Sequence, residues 1–323
     1  MAMIAEPYYG TYTQMTCNLG LGGKDYVLEF RHYIKRQTII AERLKLCKGL
    51  DEDSVEHIRK IEAAHLARLE NPNLHVVEAL QDKNELLEYH LLTQTIDAYK
   101  YSDSHIILNE KDLIDAWREV CRGCYNDVLV DACGLRNYDT PAQRRFKPEF
   151  EVKAADLSDS IAKMYNYFAE DNLTTAIVRL IYTMLMKPFD RSDDRLALIN
   201  FTKDLGVRGL PVVQKFVEFE SRYRTEVANL HWTMHGKVDI TDMIDFWMAV
   251  IDSACTGYLN ALEGLTKNEQ LILEHMVPYR TINDSDFSRF CAMHGAMTSI
   301  VSDTLTDCGY VYKDLHDTYT RIR

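Results

Sequence analysis

The stretch Phe219-Glu-Ser-Arg-Tyr-Arg-Thr-Glu-Val-Ala-Asn-Leu-His-Trp-Thr-Met-His-Gly236 reads as the end of a long helix. Gly236 stands where a left-handed C-terminal cap belongs. The apolar spacing predicts a start at Val212, just after Gly209-Leu210-Pro211, and an end at about His235. His231 and His235 are four apart and share one helical face, with Trp232 and Met234 on flanking faces. Such a pair can hold one metal ion. It can also place one imidazole on a haem iron, provided that ring is neutral and its second nitrogen is oriented by an acceptor, with the other ring at the macrocycle edge. The ordinary alternative is a pair of core or boundary histidines.

Working outward, the same helical spacing recurs at about Asp25–Lys48, Ser54–Leu69, Asn84–Tyr99, Lys111–Cys121, Ala154–Glu170, Thr174–Met186, Asp193–Lys203, Asp242–Leu262 and Asp284–Leu305. Asp53 or Ser54, and Asn109, are candidate N-caps. The chain has 14 Gly and 7 Pro in 323 residues, roughly half the usual ~12 % share of these turn formers. That speaks against an all-β sandwich and against a Gly-rich nucleotide-binding α/β fold. The expectation is one all-α domain over residues 1–323, a bundle of about ten helices.

With 37 Lys and Arg against 49 Asp and Glu, the chain carries a formal charge of −12. An acidic surface is a poor partner for phosphate backbones, so no nucleic-acid partner is expected. The most apolar run, Ile177–Met186, contains Arg179 and is too short to span a bilayer, so no membrane partner is expected either. Eight scattered cysteines without a secretory leader predict a cytoplasmic protein with reduced thiols.

Several short motifs fail on their residues. Cys121-Arg-Gly-Cys124 has no second pair and is followed by Tyr125, so structural cysteines are expected. Gly20-Leu-Gly-Gly-Lys24 is followed by Asp25, not Ser or Thr, and lacks a preceding buried strand. Lys187-Pro188-Phe189-Asp190-Arg191 resembles the AMP-transferring loop of Fic proteins. That loop needs a His where Lys187 stands and a Gly-rich phosphate cradle where this chain has Ser192-Asp193-Asp194-Arg195. A carboxylate-bridged di-iron site could start from Glu62-Ala-Ala-His65 with Glu88 and His90, but only one good Glu-x-x-His is present.

The quoted stretch resembles the proximal-histidine helix of haem-dependent aromatic oxygenases, the superfamily of tryptophan 2,3-dioxygenase. Arg222-Tyr223-Arg224 followed by Leu230-His231 carries the likeness. Tyr9-Gly10-Thr11-Tyr12-Thr13-Gln14-Met15 is similar to the dioxygenase's opening segment, and Phe30-Arg31-His32 falls near its distal-histidine helix. The branch that hydroxylates tyrosines in antibiotic pathways is nearer, with His235 at the place of the Cys that tethers haem in 3-methyltyrosine hydroxylase. The dioxygenase's Gly-Thr-Gly-Gly-Ser loop has no counterpart after Gly236.

This resemblance implies an oxidoreductase with haem b, O2 or H2O2 as oxidant, and a small aromatic amino acid as substrate. The implied reaction is ortho-hydroxylation of L-tyrosine to L-DOPA. It implies His231 as axial iron ligand, Trp232 and His235 beside the haem, and His90 or His32 as the distal acid–base. Arg31, Arg222 and Arg224 are the candidates for fixing the substrate carboxylate. The related dioxygenases form oligomers, which implies a homo-oligomer. The contrasting readings are a di-iron oxidase using Glu62 and His65, and a non-catalytic helical binding protein.

Overall fold

The computed structural model describes residues 12–18, 27–71, 87–122, 127–138, 152, 154–167, 173–230, 237–314 and 317–322. Its centre is a helix, here α7 (Leu173–Met186), whose buried residues include Ala176, Ile177, Val178, Leu180, Ile181, Tyr182 and Met184. A helix apolar on nearly every side must be surrounded. Its neighbours include α8 (Asp193–Asp204), α11 (Thr241–Glu263) and α1 (Ile34–Leu46). Around these lie α2 (Glu52–Glu70), α3 (Leu87–Ser104), α4 (Glu110–Cys121), α5 (Asp127–Ala132) and α6 (Leu157–Tyr167). The short helices α9 (Val212–Glu218) and α10 (Glu220–Asn229) pack on α11. The helical bundle expected from the spacing is therefore what the chain forms.

Local chemistry sets several boundaries. Asp51 accepts a hydrogen bond from the Ser54 amide at 2.8 Å, and Asn109 accepts one from the Asp112 amide at 3.1 Å, which start α2 and α4. The expected long helix from Val212 to His235 is instead two. At Phe219 the turn tightens, its N–H reaching Phe216 O three residues back at 3.0 Å, and α10 closes at Leu230. The expected Asp284–Leu305 helix also divides, because Gly295 adopts φ 65° and Ala296 N–H closes back onto Cys291 O at 3.0 Å.

Strands appear where helix was expected. The run 27–33, placed within a helix by its spacing, is β2 (Val27–Tyr33), paired antiparallel with β1 (Tyr12–Asn18). The short β3 (Lys237–Asp239) adds parallel to β2, with Val27 opposite Lys237. This pairing joins segments about two hundred residues apart, which local periodicity cannot report.

Residues 267–314 and 317–321 build a module of which the spacing gave only the Asp284–Leu305 stretch. It runs α12 (Lys267–His275), β4 (Thr281–Asn283), α13 (Asp284–Met293), α14 (Thr298–Asp307), β5 (Val311–Lys313) and β6 (Thr318–Arg321). The strand order is β4-β6-β5. Ile272, Leu273, Phe287, Cys291, Val301, Leu305 and Tyr319 form a small core of its own. A helix-turn-helix followed by a hairpin wing has this order. Its second helix holds Asp303 and Asp307 and no Lys or Arg, which speaks against contact with a phosphate backbone. The module is tied to the body by a buried Lys215–Asp307 ion pair at 2.7 Å. Among the described residues, no helix is long and apolar enough to cross a membrane.

Candidate functional site

Much of the expected haem site lies outside the described residues. His231, Trp232 and His235 lie outside the described residues, just beyond the end of α10. Arg31 and His32 lie on strand β2, opposite Gln14 and Thr13, and not on a distal helix. His90 is in the first turn of α3, and its side chain lies outside the described set. Arg222 pairs with Glu226 at 3.4 Å and leans over the Phe246 ring, 5.8 Å from its centroid. Arg224 pairs with Glu220 at 2.6 Å on the exposed side of α10. Both guanidinium groups are engaged by the helix that carries them.

The di-iron alternative is overturned by the same kind of accounting. Glu62 is buried, and its two carboxylate oxygens accept the Val213 and Gln214 amides at 2.8 Å each. It anchors the N-terminus of α9, where the helix leaves unsatisfied N–H groups. His65 packs against Tyr312, ring centroids 5.2 Å apart. Among the described residues, no three or more His, Cys, Asp or Glu come close enough together to hold a metal ion. Cys121 is buried and Cys124 lies outside the described residues, as does Gly20–Lys24.

The α7–α8 corner, Lys187 to Ser192, is held from several sides. Arg136 is buried behind it and donates to four carbonyls, those of Lys187 (2.7 Å), Tyr138 (3.0 Å), Met186 (3.4 Å) and Val152. The C-terminal carbonyls of α7 are thereby capped by a guanidinium. Trp117 of α4 stacks on Phe189, 4.8 Å away and 6° from parallel, and its indole N–H donates to Arg191 O at 3.0 Å. Arg195 turns inward to Thr95, Val120 O and Ser192. Lys187 and Ser192 both have left-handed backbone, φ 49° and 62°, which is costly for side chains other than glycine.

Its charges are arranged against an anion. Asp193 and Asp194 occupy the first turn of α8, where a helix would otherwise offer N–H groups to a phosphate. Asp193 Oδ1 accepts the Phe189 amide at 2.9 Å. Lys187 Nζ lies 2.9 and 3.0 Å from the two oxygens of Asp194. Burial alone would pull the Lys187 ammonium down, but Asp194 and Asp193 more than offset it and hold it above its ordinary value. A lysine so held stays protonated and cannot take a proton from a substrate hydroxyl.

Two cavities, of about 180 and 420 Å³, meet at Lys203 and Gly206 near the end of α8. The larger lies between α7 and α8, with Leu113, Leu180 and Phe201 on its apolar wall. Lys203 Nζ and Asn200 Oδ1 are both buried and have no hydrogen-bond partner among the described residues. Burial pulls the Lys203 ammonium down, opposed by Asp204 and Asp103. Arg179, also in the wall, pairs with Asp204 at 3.4 Å. Neither Lys203 nor Asn200 is a residue that motif reading selects. The available signal was helical spacing, since Lys203 follows Leu196 and Ile199 on the same apolar stripe.

No protein-family model matches the chain, and no curated protein does either. Among solved structures, a Fic family protein from Desulfovibrio desulfuricans G20 matches with a TM-score of 0.60 at 13% sequence identity. The match covers 89% of this chain and 95% of that one. The chain therefore shares its fold with a Fic family protein. That finding overturns the likeness to haem-dependent aromatic oxygenases. With it go the haem oxidoreductase and tyrosine-hydroxylase readings that rested on His231, and the di-iron reading.

Proposed function

We propose that the chain is a Fic-fold protein that binds a small carboxylic acid with an apolar body in the cavity between α7 and α8, and does not transfer AMP at the α7–α8 corner. The observation that carries the binding reading is the buried Lys203 ammonium, which has no hydrogen-bond partner among the described residues and belongs to a side chain that lines the cavity. A buried donor left unsatisfied costs roughly 1–3 kcal/mol, and a carboxylate supplies what it lacks. Leu113, Leu180 and Phe201 take the apolar end, and Asn200 Oδ1 accepts a donor on the ligand if one is present.

Against AMP transfer stand three features of the corner. Lys187 replaces the required histidine and is locked by Asp194, and Asp193 and Asp194 fill the first turn of α8 where phosphate would sit. Like charges at a phosphate cradle repel the donor nucleotide.

The test is calorimetry with benzoate and hexanoate, and with benzyl alcohol and hexanol as neutral controls. Ligands of this size reach dissociation constants of about 0.1–1 mM. Carboxylates are expected to bind on the order of tenfold tighter than the alcohols, and Lys203→Met to erase the difference. Equal binding of acid and alcohol, or no binding of either, overturns the reading.

A second reading is favoured by the left-handed Lys187 and Ser192, since strained backbone collects at working sites. It keeps a group transfer at the corner, with Lys187 leaving Asp194 to hold the donor's phosphate. Incubation with ATP labelled on the α-phosphate decides it. Label that appears on protein and is lost in Lys187→Ala establishes that reading, and absence of label removes it.

A further inference from the structure

A third cavity, about 330 Å³, opens at the seam between the helical body and the C-terminal module. It is separate from the cavities at Lys203 and does not depend on the function proposed above. Its walls come from α2, α9, α14 and the wing. Four carboxylates border it, those of Glu218, Asp303, Asp314 and Asp317. Two of these are neutralised locally: Glu218 pairs with Lys215 at 3.1 Å, and Asp317 with Lys313 at 3.0 Å. Asp314 accepts the Thr318 amide at 3.1 Å, which holds the turn of the wing. Asp303 is exposed and has no ion-pair or hydrogen-bond partner for its carboxylate among the described residues.

Acidic residues alone would be an ordinary solvated face. The second observation is His65, on the floor of the same cavity and only 7 % exposed. Its ring touches Tyr312, yet neither ring nitrogen has a hydrogen-bond partner among the described residues. A buried imidazole normally has one. We propose that this seam is a binding site for a primary alkylamine, whose ammonium donates to the Asp303 carboxylate and to a ring nitrogen of His65 while its stem lies on Ile61, Val217 and Val311.

An ammonium offers three donors and no acceptor, which suits a carboxylate and a neutral imidazole facing one space. The imidazole is neutral at physiological pH, because burial, helped by Arg68 and Lys215, pulls it down to about 4. The aliphatic wall, and the pairing of Glu218 and Asp317 with lysines, favour an amine over a bare metal ion.

The experiment is titration calorimetry on the full chain with hexylamine. Hexanol, hexyltrimethylammonium and zinc chloride are the comparison probes. Hexylamine is expected to bind at one site per chain, and hexanol and the quaternary amine on the order of tenfold more weakly. Asp303→Asn, an exposed change that leaves the core intact, is expected to weaken hexylamine by a similar factor, with the thermal midpoint of the free protein unchanged. His65→Phe keeps the ring packing on Tyr312 and is expected to lose the same discrimination. Binding of hexylamine that is indifferent to Asp303→Asn overturns the proposal. So do equal binding of hexanol, equal binding of the quaternary amine, and a response to zinc alone.

Discussion

Replacing Glu62 by alanine tests how the body is held together. The carboxylate leaves α2 and closes the N-terminus of α9 by accepting two buried amides at 2.8 Å each. Removing it orphans both N–H groups, each at roughly 1–3 kcal/mol, so the variant is expected to lose about 2–6 kcal/mol at pH 5. Glu62→Gln keeps one accepting oxygen and is expected to lose about half as much.

The penalty carries a pH signature. Burial pushes the Glu62 carboxyl up to about 8, against the pull of the two amide bonds and of Lys215. A folded-state value above the unfolded one means that the native protein binds more protons between the two. Glu62's contribution is therefore complete below about 4.5 and is lost as pH rises toward 8. The difference between wild type and Glu62→Ala should shrink by up to about 1.4 kcal/mol per pH unit in that window. Urea unfolding of both proteins at pH 5, 6.5 and 8 reads it directly, since the difference cancels groups common to both. A penalty under about 0.5 kcal/mol at pH 5, the size of an ordinary surface change, refutes the anchor. A penalty that grows with pH does so too.

Other perturbations follow from the same accounting. Arg136→Lys keeps the charge but not the planar fork that reaches four carbonyls, and should cost about 2–4 kcal/mol by urea unfolding. A β-carbon at Gly257 would stand 2.9 Å from Asp307 Oδ1 and 3.2 Å from Pro211. Gly257→Ala is thus expected to cost about 1–3 kcal/mol, and a thermal midpoint equal to wild type would show that the α11–α14 contact is loose. Lys203→Met should leave the free protein as stable or up to about 1 kcal/mol more so, because it removes a buried amine that has no hydrogen-bond partner among the described residues. A loss above 1 kcal/mol would mean that Lys203 has a structural role.

What the sequence told in advance was what short-range chemistry controls. Asn109 and the run 111–121 gave α4 nearly to the residue, and the apolar Thr174–Met186 stretch gave the central helix. Asp193 as the start of α8 was also read correctly. The misses are non-local. Val27–Tyr33 is a strand because Tyr12–Asn18 and Lys237–Asp239 pair with it, and α12 and the hairpin wing are fixed by a core that closes only when Tyr319 reaches Phe287. The likeness of Lys187–Arg191 to a Fic loop was set aside on its missing histidine, while the fold shared with a Fic family protein went unread. The haem reading built on His231 and His235 went the other way, since a four-residue spacing was given a family whose fold this chain does not share.

The joint at Lys215 and Asp307 bears on how the protein comes apart. One short helix, α9, is gripped at its beginning by Glu62 and, a turn later, sends Lys215 across to α14. Pulling the C-terminal module away would strand two buried charges at once, a loss of several kcal/mol before any apolar surface is counted. The module has its own small core, but it cannot leave without uncovering that pair. A protease that nicks the connection near Gly264 would be expected to yield fragments that stay together under native conditions. Heating should melt bundle and module in a single cooperative transition.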